Sequence, residues 1–356
     1  MKRFLLVTAA ILGAAGYVQA GAKWGETPRV SACPLLDYAG FTPIPFTQTW
    51  VRGGDTVEMT DGRVVRWRRL SFSADDAPAR VRLLRRFGPP ETERTCRLPN
   101  GETWRETFWR TPRGLRAVLR HRDKTPGAFV ETVLETAPPA PLAPGAPLPA
   151  VPQPVMPGAC RAAVVATLAR CVGIDLPAPL AAAAWQGGEA RGLAPLFHAR
   201  GFRYRIVEVA RDREVNTRTL QWFAAYNRRA ARAGLPLLMI QDEGGSRLAW
   251  EESAADADPA LAASLPIPDP AGLARFRQDI QTSIAAGLPL GWTLRRRTAG
   301  PRHRRLIIGF APDTDRILAL DLFPPYTPHL MPLAAAWPQT LTWQVAERHS
   351  AGTARF

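Results

Sequence analysis

VPQPVMPGACRAAVVATLARCVG, residues 151–173, decides how the chain is read. From Arg161 to Val172 almost every side chain is apolar. A helix that is apolar all round belongs inside a core. Pro157-Gly158 marks the change from irregular chain to helix. Cys160 then stands in the first turn. There the orphan backbone N–H groups and the helix dipole favour a thiolate over a thiol. Shortly upstream, Gln153 carries a side-chain amide able to donate hydrogen bonds.

Working outward toward the N-terminus, residues 137–157 hold nine prolines among alanines and leucines. Such a segment is extended and semi-rigid, and it reads as a linker and domain boundary. Residues 21–136 read as a small α+β domain. Residues 64–72, 102–109 and 115–120 alternate as strands do. Residues 77–87 form a helix closed by Gly88 and two prolines. Trp50, Trp67, Trp104 and Trp109 read as core packing, and His121, among Arg120, Arg122 and Asp123, as surface.

The first twenty residues have the form of a signal peptide. Lys2-Arg3 lead an apolar run, and Val18-Gln19-Ala20 is a small-residue cleavage site. The run is too short for a comfortable membrane span. The expectation is an exported protein, periplasmic or extracellular, without a transmembrane span after signal removal. The formal net charge of +15 is mostly arginine and is spread along the chain. Export argues against nucleic acid as a partner, so the charge reads as a solubilising, basic surface.

Downstream of the cysteine helix, residues 158–349 alternate helices and strands, with a tail at 350–356. Helices are expected at 177–185, at 190–199, from an N-cap at Asn216 to Ala233, and from Asp269-Pro270 to Gly287. Strands are expected at 202–209, 235–241 and 288–294, with 242–268 as loop. Then comes HRRLIIGFAPDTDRILALD, residues 303–321. Two apolar runs flank Pro312-Asp313-Thr314, which predicts a β-hairpin. Its midpoint, residue 312, brings His303 at the start of one strand to Asp321 at the end of the other. A carboxylate so placed orients an imidazole and sets its tautomer.

These residues together suggest a nucleophile, Cys160, a base, His303, its orienter, Asp321, and an oxyanion donor, Gln153. The order Gln, Cys, His, Asp, with AGLPLGWTL at 286–294 and the His303–Asp321 hairpin, resembles the C39-like group of papain-like cysteine peptidases. In particular it resembles exported bacterial members that carry a small extra N-terminal domain. Two positions depart from the family pattern. Arg161 follows the cysteine where those peptidases have glycine, and Pro301-Arg302 stands where they have Gly-Gly. The resemblance implies an α+β, papain-like cysteine-peptidase fold: the N-terminal helix carries Cys160, and an antiparallel sheet carries His303 and Asp321. It implies a peptide or protein substrate. The alternatives are a papain-like binding or scaffold module without turnover, and acyl transfer on cell-envelope peptides.

The remaining cysteines read differently. Cys160 and Cys171 sit roughly 16 Å apart along one straight helix, beyond the ~6 Å that a disulfide bridges. Cys171 therefore reads as core. Cys33 and Cys96 are expected to pair in an oxidising compartment. No cysteine–histidine cluster suggests a metal, and no cofactor is expected. His198, His329 and His349 read as structural, without partners.

Overall fold

A computed structural model describes residues 40–349, apart from 61–62, 111–113, 125–127, 137, 139, 144–145, 147, 154–158, 187–188, 210–211, 244–245, 250 and 296–301. The expected signal peptide, Cys33 with its pairing to Cys96, and the 350–356 tail lie outside the described residues. The protein is mixed α+β, with two large antiparallel sheets and, among the described residues, eight α-helices. The chain divides into two compact units, Met1–Leu196 and Phe197–Phe356.

The first unit is built on strands β1 (Thr42–Pro43), β2 (Thr49–Arg52), β3 (Asp55–Thr60), β4 (Arg63–Ser71), β5 (Thr92–Arg97), β6 (Thr103–Arg110), β7 (Arg116–Arg122) and β8 (Phe129–Glu135). They form one sheet in the order β1-β2-β3-β4-β8-β7-β6-β5. Its helices are α1 (Ala77–Phe87), α2 (Ala159–Cys171), α3 (Ala178–Gln186) and α4 (Glu189–His198), the last of which ends across the division. Successive strand residues face opposite sides. Trp50, Val57, Trp67, Leu119 and Leu134 make an apolar side, covered by Ala79 and Leu83 of α1.

The opposite side of this sheet is charged, and yet it is buried. Glu58, Arg66, Arg68, Arg120, Glu131 and Glu135 are all sequestered there. Burial of charge is tolerated only when each group is paired. The pairing arrives from far along the chain. Asp175, just after α2, accepts from Arg66, from Arg68 at 2.9 Å and from Arg120. Arg170 of α2 donates to Glu58 at 2.7 Å. Helix α2 is enclosed on every side, as its all-apolar run predicts. Gly173 follows at φ 77°, and a Cβ there would meet Pro141 N at 2.9 Å, so only glycine fits this turn.

Three expectations change in this unit. The proline-rich segment is not a free spacer. Leu148, Ala150 and Val151 are buried, and Val151 N donates to Thr167 Oγ1 of α2 at 2.9 Å. Its non-proline residues supply the bonds that proline cannot donate. The compact units accordingly divide at 196/197, so α2 falls in the first unit with the sheet. His121 is buried rather than on the surface: its Nε2 donates to Ala74 O at 2.7 Å, and its Nδ1 accepts from Arg105 at 2.7 Å. A carbonyl only accepts and a guanidinium only donates, which sets that tautomer.

The second unit holds β9 (Phe202–Glu208), α5 (Asp212–Ala233), β10 (Ile240–Glu243), β11 (Ser246–Ala249), α6 (Pro259–Ala263), α7 (Pro270–Ala285), β12 (Leu290–Arg295), β13 (Arg302–Ala311), β14 (Arg316–Leu320), β15 (Pro328–Pro332), α8 (Leu333–Ala336) and β16 (Thr340–Arg348). Six strands form a sheet in the order β15-β14-β13-β12-β16-β9, and β10-β11 make a separate ribbon. The core gathers Phe223, Tyr226, Phe276, Trp292, Trp337 and Trp343. Helix α7 begins as its Asp-Pro signal predicts, with Asp269 accepting from Gly272 N at 3.0 Å.

Elsewhere in this unit the boundaries shift. Asn216 lies inside α5 rather than at its cap, and residues 235–239 run outside any strand before β10. A polar residue near a helix start resembles a cap in sequence, but the true start depends on flanking contacts. His198 and His349 are not without partners: their Nδ1 and Nε2 lie 3.0 Å apart.

Candidate active site

In the second unit, His303 is the second residue of β13 and pairs with Leu294 of β12. Strand β13 runs antiparallel to β14, as the hairpin pattern predicts. A β-bulge between Ile307 and Gly309 shifts the register by one residue. Beyond it Leu306 stands opposite Leu320, so continuing the ladder sets Arg305, not His303, opposite Asp321. His303 points to the same face two residues along and reaches Asp321 diagonally. The contact is His303 Nε2 to Asp321 Oδ2 at 2.6 Å.

Asp321 is held at both oxygens. Oδ1 accepts from Phe323 N at 3.0 Å, and Oδ2 also lies 3.6 Å from Arg305 Nε. Burial alone would push the Asp321 carboxyl up. The hydrogen bond and charge of His303, then the Arg305 guanidinium, outweigh it and hold the group below the ordinary carboxylate value. Asp321 therefore stays ionised near neutrality and acts only as an acceptor. With Nε2–H donated to it, the neutral imidazole carries its lone pair on Nδ1. The bond to Asp321 thus sets both the orientation and the tautomer of the ring. Sequence reading found His303 and Asp321. It missed Arg305, whose signal was its place on the same strand face, two residues after the histidine.

In the first unit, Cys160 is the second residue of α2 and is half-buried. Its backbone N–H is one of the four that a helix does not satisfy from within itself. Gln153 is also half-buried, and its Oε1 is enclosed with no hydrogen-bond partner among the described residues. The structure thus brings His303 and Asp321 together in one unit and sets Cys160 and Gln153 in the other.

The other two described thiols are chemically muted. Burial, and then the neighbouring Glu106, push Cys96 up to about 11, and its Sγ donates to Glu106 Oε2 at 3.4 Å. Burial pushes the wholly enclosed Cys171 far above an ordinary thiol. Since the thiolate is the reacting species, a thiol-directed electrophile near pH 7 should modify Cys160 and leave Cys96 and Cys171 untouched in the native protein. Peptide mapping after brief iodoacetamide treatment reads this directly. Prompt modification of Cys171 would mean that α2 is not enclosed.

Among the described residues no cluster of three or more metal-binding side chains occurs, and no helix is long and apolar enough to cross a bilayer. No protein-family model, curated protein or solved structure matches this chain.

Proposed function

We propose that this protein is an exported thiol-dependent hydrolase that cleaves peptide bonds, with Cys160 as nucleophile, His303 as base and acid, and Asp321 as orienter. The observation that carries the reading is the 2.6 Å bond between His303 Nε2 and Asp321. An imidazole tied to a half-buried, ionised carboxylate at one nitrogen is prepared to take a proton at the other. Three further features support it. Cys160 opens a buried helix, whose dipole favours the thiolate. Gln153, shortly before it in the chain, carries a side-chain amide whose Nε2 can donate. The order of the four residues resembles that of C39-like, papain-like peptidases.

In this reaction the Cys160 sulfur attacks the substrate carbonyl carbon while its proton passes to His303 Nδ1. The oxyanion is held by the Cys160 N–H and the Gln153 amide. The imidazolium then protonates the leaving amine, which leaves a thioester. Water, deprotonated by the same imidazole, releases the acid and restores the thiol.

Cys160→Ala and Asp321→Asn test the proposal together. Cys160→Ala should abolish peptide hydrolysis and covalent capture of an acylating probe. Asp321→Asn should keep the fold and the thiol but slow acylation by roughly 100-fold or more, since the imidazole loses its tautomer and its stabilised cation. Hydrolysis that survives in Cys160→Ala would sink the assignment. A wild-type chain that neither turns over nor captures the probe would leave a papain-like binding module in its place.

A further inference from the structure

Helix α1 carries Arg80, Arg82, Arg85 and Arg86 and no acidic residue. Ala79 and Leu83 bind one side of it to the apolar face of the first sheet. On its other side Val81 is 43% and Leu84 39% exposed, and Phe72, the residue after β4, is 46% exposed. Three of the seven exposed large apolar side chains among the described residues therefore fall between residues 72 and 84. Scattered exposed apolar groups need no explanation, but a concentration of them beside basic groups does.

The charges around them are not equivalent. Arg80 is tied to Asp76 and Glu93. Arg82 and Arg85 are exposed and have no acidic partner among the described residues. A cleft beside the helix is lined by Trp67, Leu83 and Phe87 together with Arg82 and Arg86. On the outer side of α1 the exposed Val81 and Leu84 adjoin the exposed Arg82 and Arg85 along the helix, on a protein whose formal charge is +15.

We propose that the outer face of α1 docks this protein on an anionic bilayer surface, independently of the chemistry at Cys160. The geometry is that of a helix lying in the membrane plane: Val81 and Leu84 enter the headgroup–acyl boundary while Arg82 and Arg85 meet lipid phosphates. A water-borne polyanion would satisfy the guanidinia but would gain nothing from the two apolar side chains, which are what favour a lipid surface. The binding is weak and reversible, because a single short face buries little apolar area.

Sedimentation of the purified chain with vesicles tests it, using phosphatidylcholine alone and phosphatidylcholine mixed with phosphatidylglycerol. The protein should pellet only with the mixed vesicles, and less so as salt rises. Arg82→Gln with Arg85→Gln should weaken partitioning about 30-fold. Val81→Ser with Leu84→Ser should weaken it about 10-fold while leaving binding to heparin unchanged. All four side chains are exposed, so the variants should keep the wild-type melting temperature, which is measured alongside. Failure of the wild type to pellet with mixed vesicles overturns the proposal. So does a serine pair that binds them as well as wild type, since that marks a polyanion site only.

Discussion

His303→Ala should lower thiol-dependent hydrolysis by about 1,000-fold, within the range that a positioned general base contributes. It should also move the pH profile of Cys160 alkylation upward, toward the ~8.5 of an unperturbed thiol. Two influences favour the thiolate under the proposal. One is the α2 N-terminus, which the substitution leaves in place. The other is the imidazolium, whose charge the Asp321 carboxylate stabilises. Removing His303 deletes only the second, so the profile should shift without returning fully to that of a free cysteine. Stopped-flow alkylation of wild type and variant across pH measures this. Superimposable profiles would mean that no Cys–His pair forms, whatever His303 does with Asp321. This measurement is sharper than a low thiol pKa by itself, because Arg161 adjoins the cysteine in sequence and also favours the anion.

The second large effect concerns stability. Asp175→Asn should destabilise the first unit by about 3–5 kcal/mol, the cost of removing one partner from a buried charge cluster. Burial alone would raise the Asp175 carboxyl, but Arg120, Arg66 and Arg68 hold it well below the ordinary range. Its asparagine replacement leaves those guanidinia enclosed with one negative charge fewer. Urea unfolding followed by tryptophan fluorescence measures the loss, with Trp50, Trp67 and Trp109 buried in this unit as reporters. A loss under ~1 kcal/mol, the scale of an exposed pair, would show that the cluster is wetter than the structure places it.

The same cluster sets the acid limb of stability. Asp175 and Glu106 both have folded pKa values below those of the unfolded chain, with Glu106 lowered to about 2. Burial opposes the Glu106 charge, and Arg120, Arg94 and Trp104 outweigh that opposition. A depressed carboxylate contributes stability that is complete above its unfolded value, near 4. That contribution fades as pH falls toward the folded value. The wild-type unit should therefore weaken between about pH 4 and 2, and Asp175→Asn should flatten this decline.

Much of the fold was legible because local signals agreed. Helix α1 lies at the expected 77–87, between a run of polar starters and Gly88 with two prolines. Helix α2 was readable as core because no side of it is polar enough to face water. Strands β13 and β14 were readable from two apolar runs about a Pro-Asp-Thr turn, and with them the meeting of His303 and Asp321. The exact register was not. It depends on the bulge at Ile307–Gly309, a one-residue slip that periodicity does not encode.

What the sequence by itself determined is part of the set of elements and their character: alternating strands, an almost wholly apolar cysteine helix, and a hairpin joining an imidazole to a carboxylate. Which side of the first sheet is buried was decided by tertiary structure alone, and the answer is both. Alternation marks two faces but does not say whether water covers the polar one. Here Asp175 and Arg170 arrive from more than a hundred residues away to pair with Arg68 and Glu58. Charge complementarity between segments so far apart leaves no local pattern. It is also what ties Arg170 of α2 to the charged face of the sheet, and the energy of a buried charge exists only once its partner is in place.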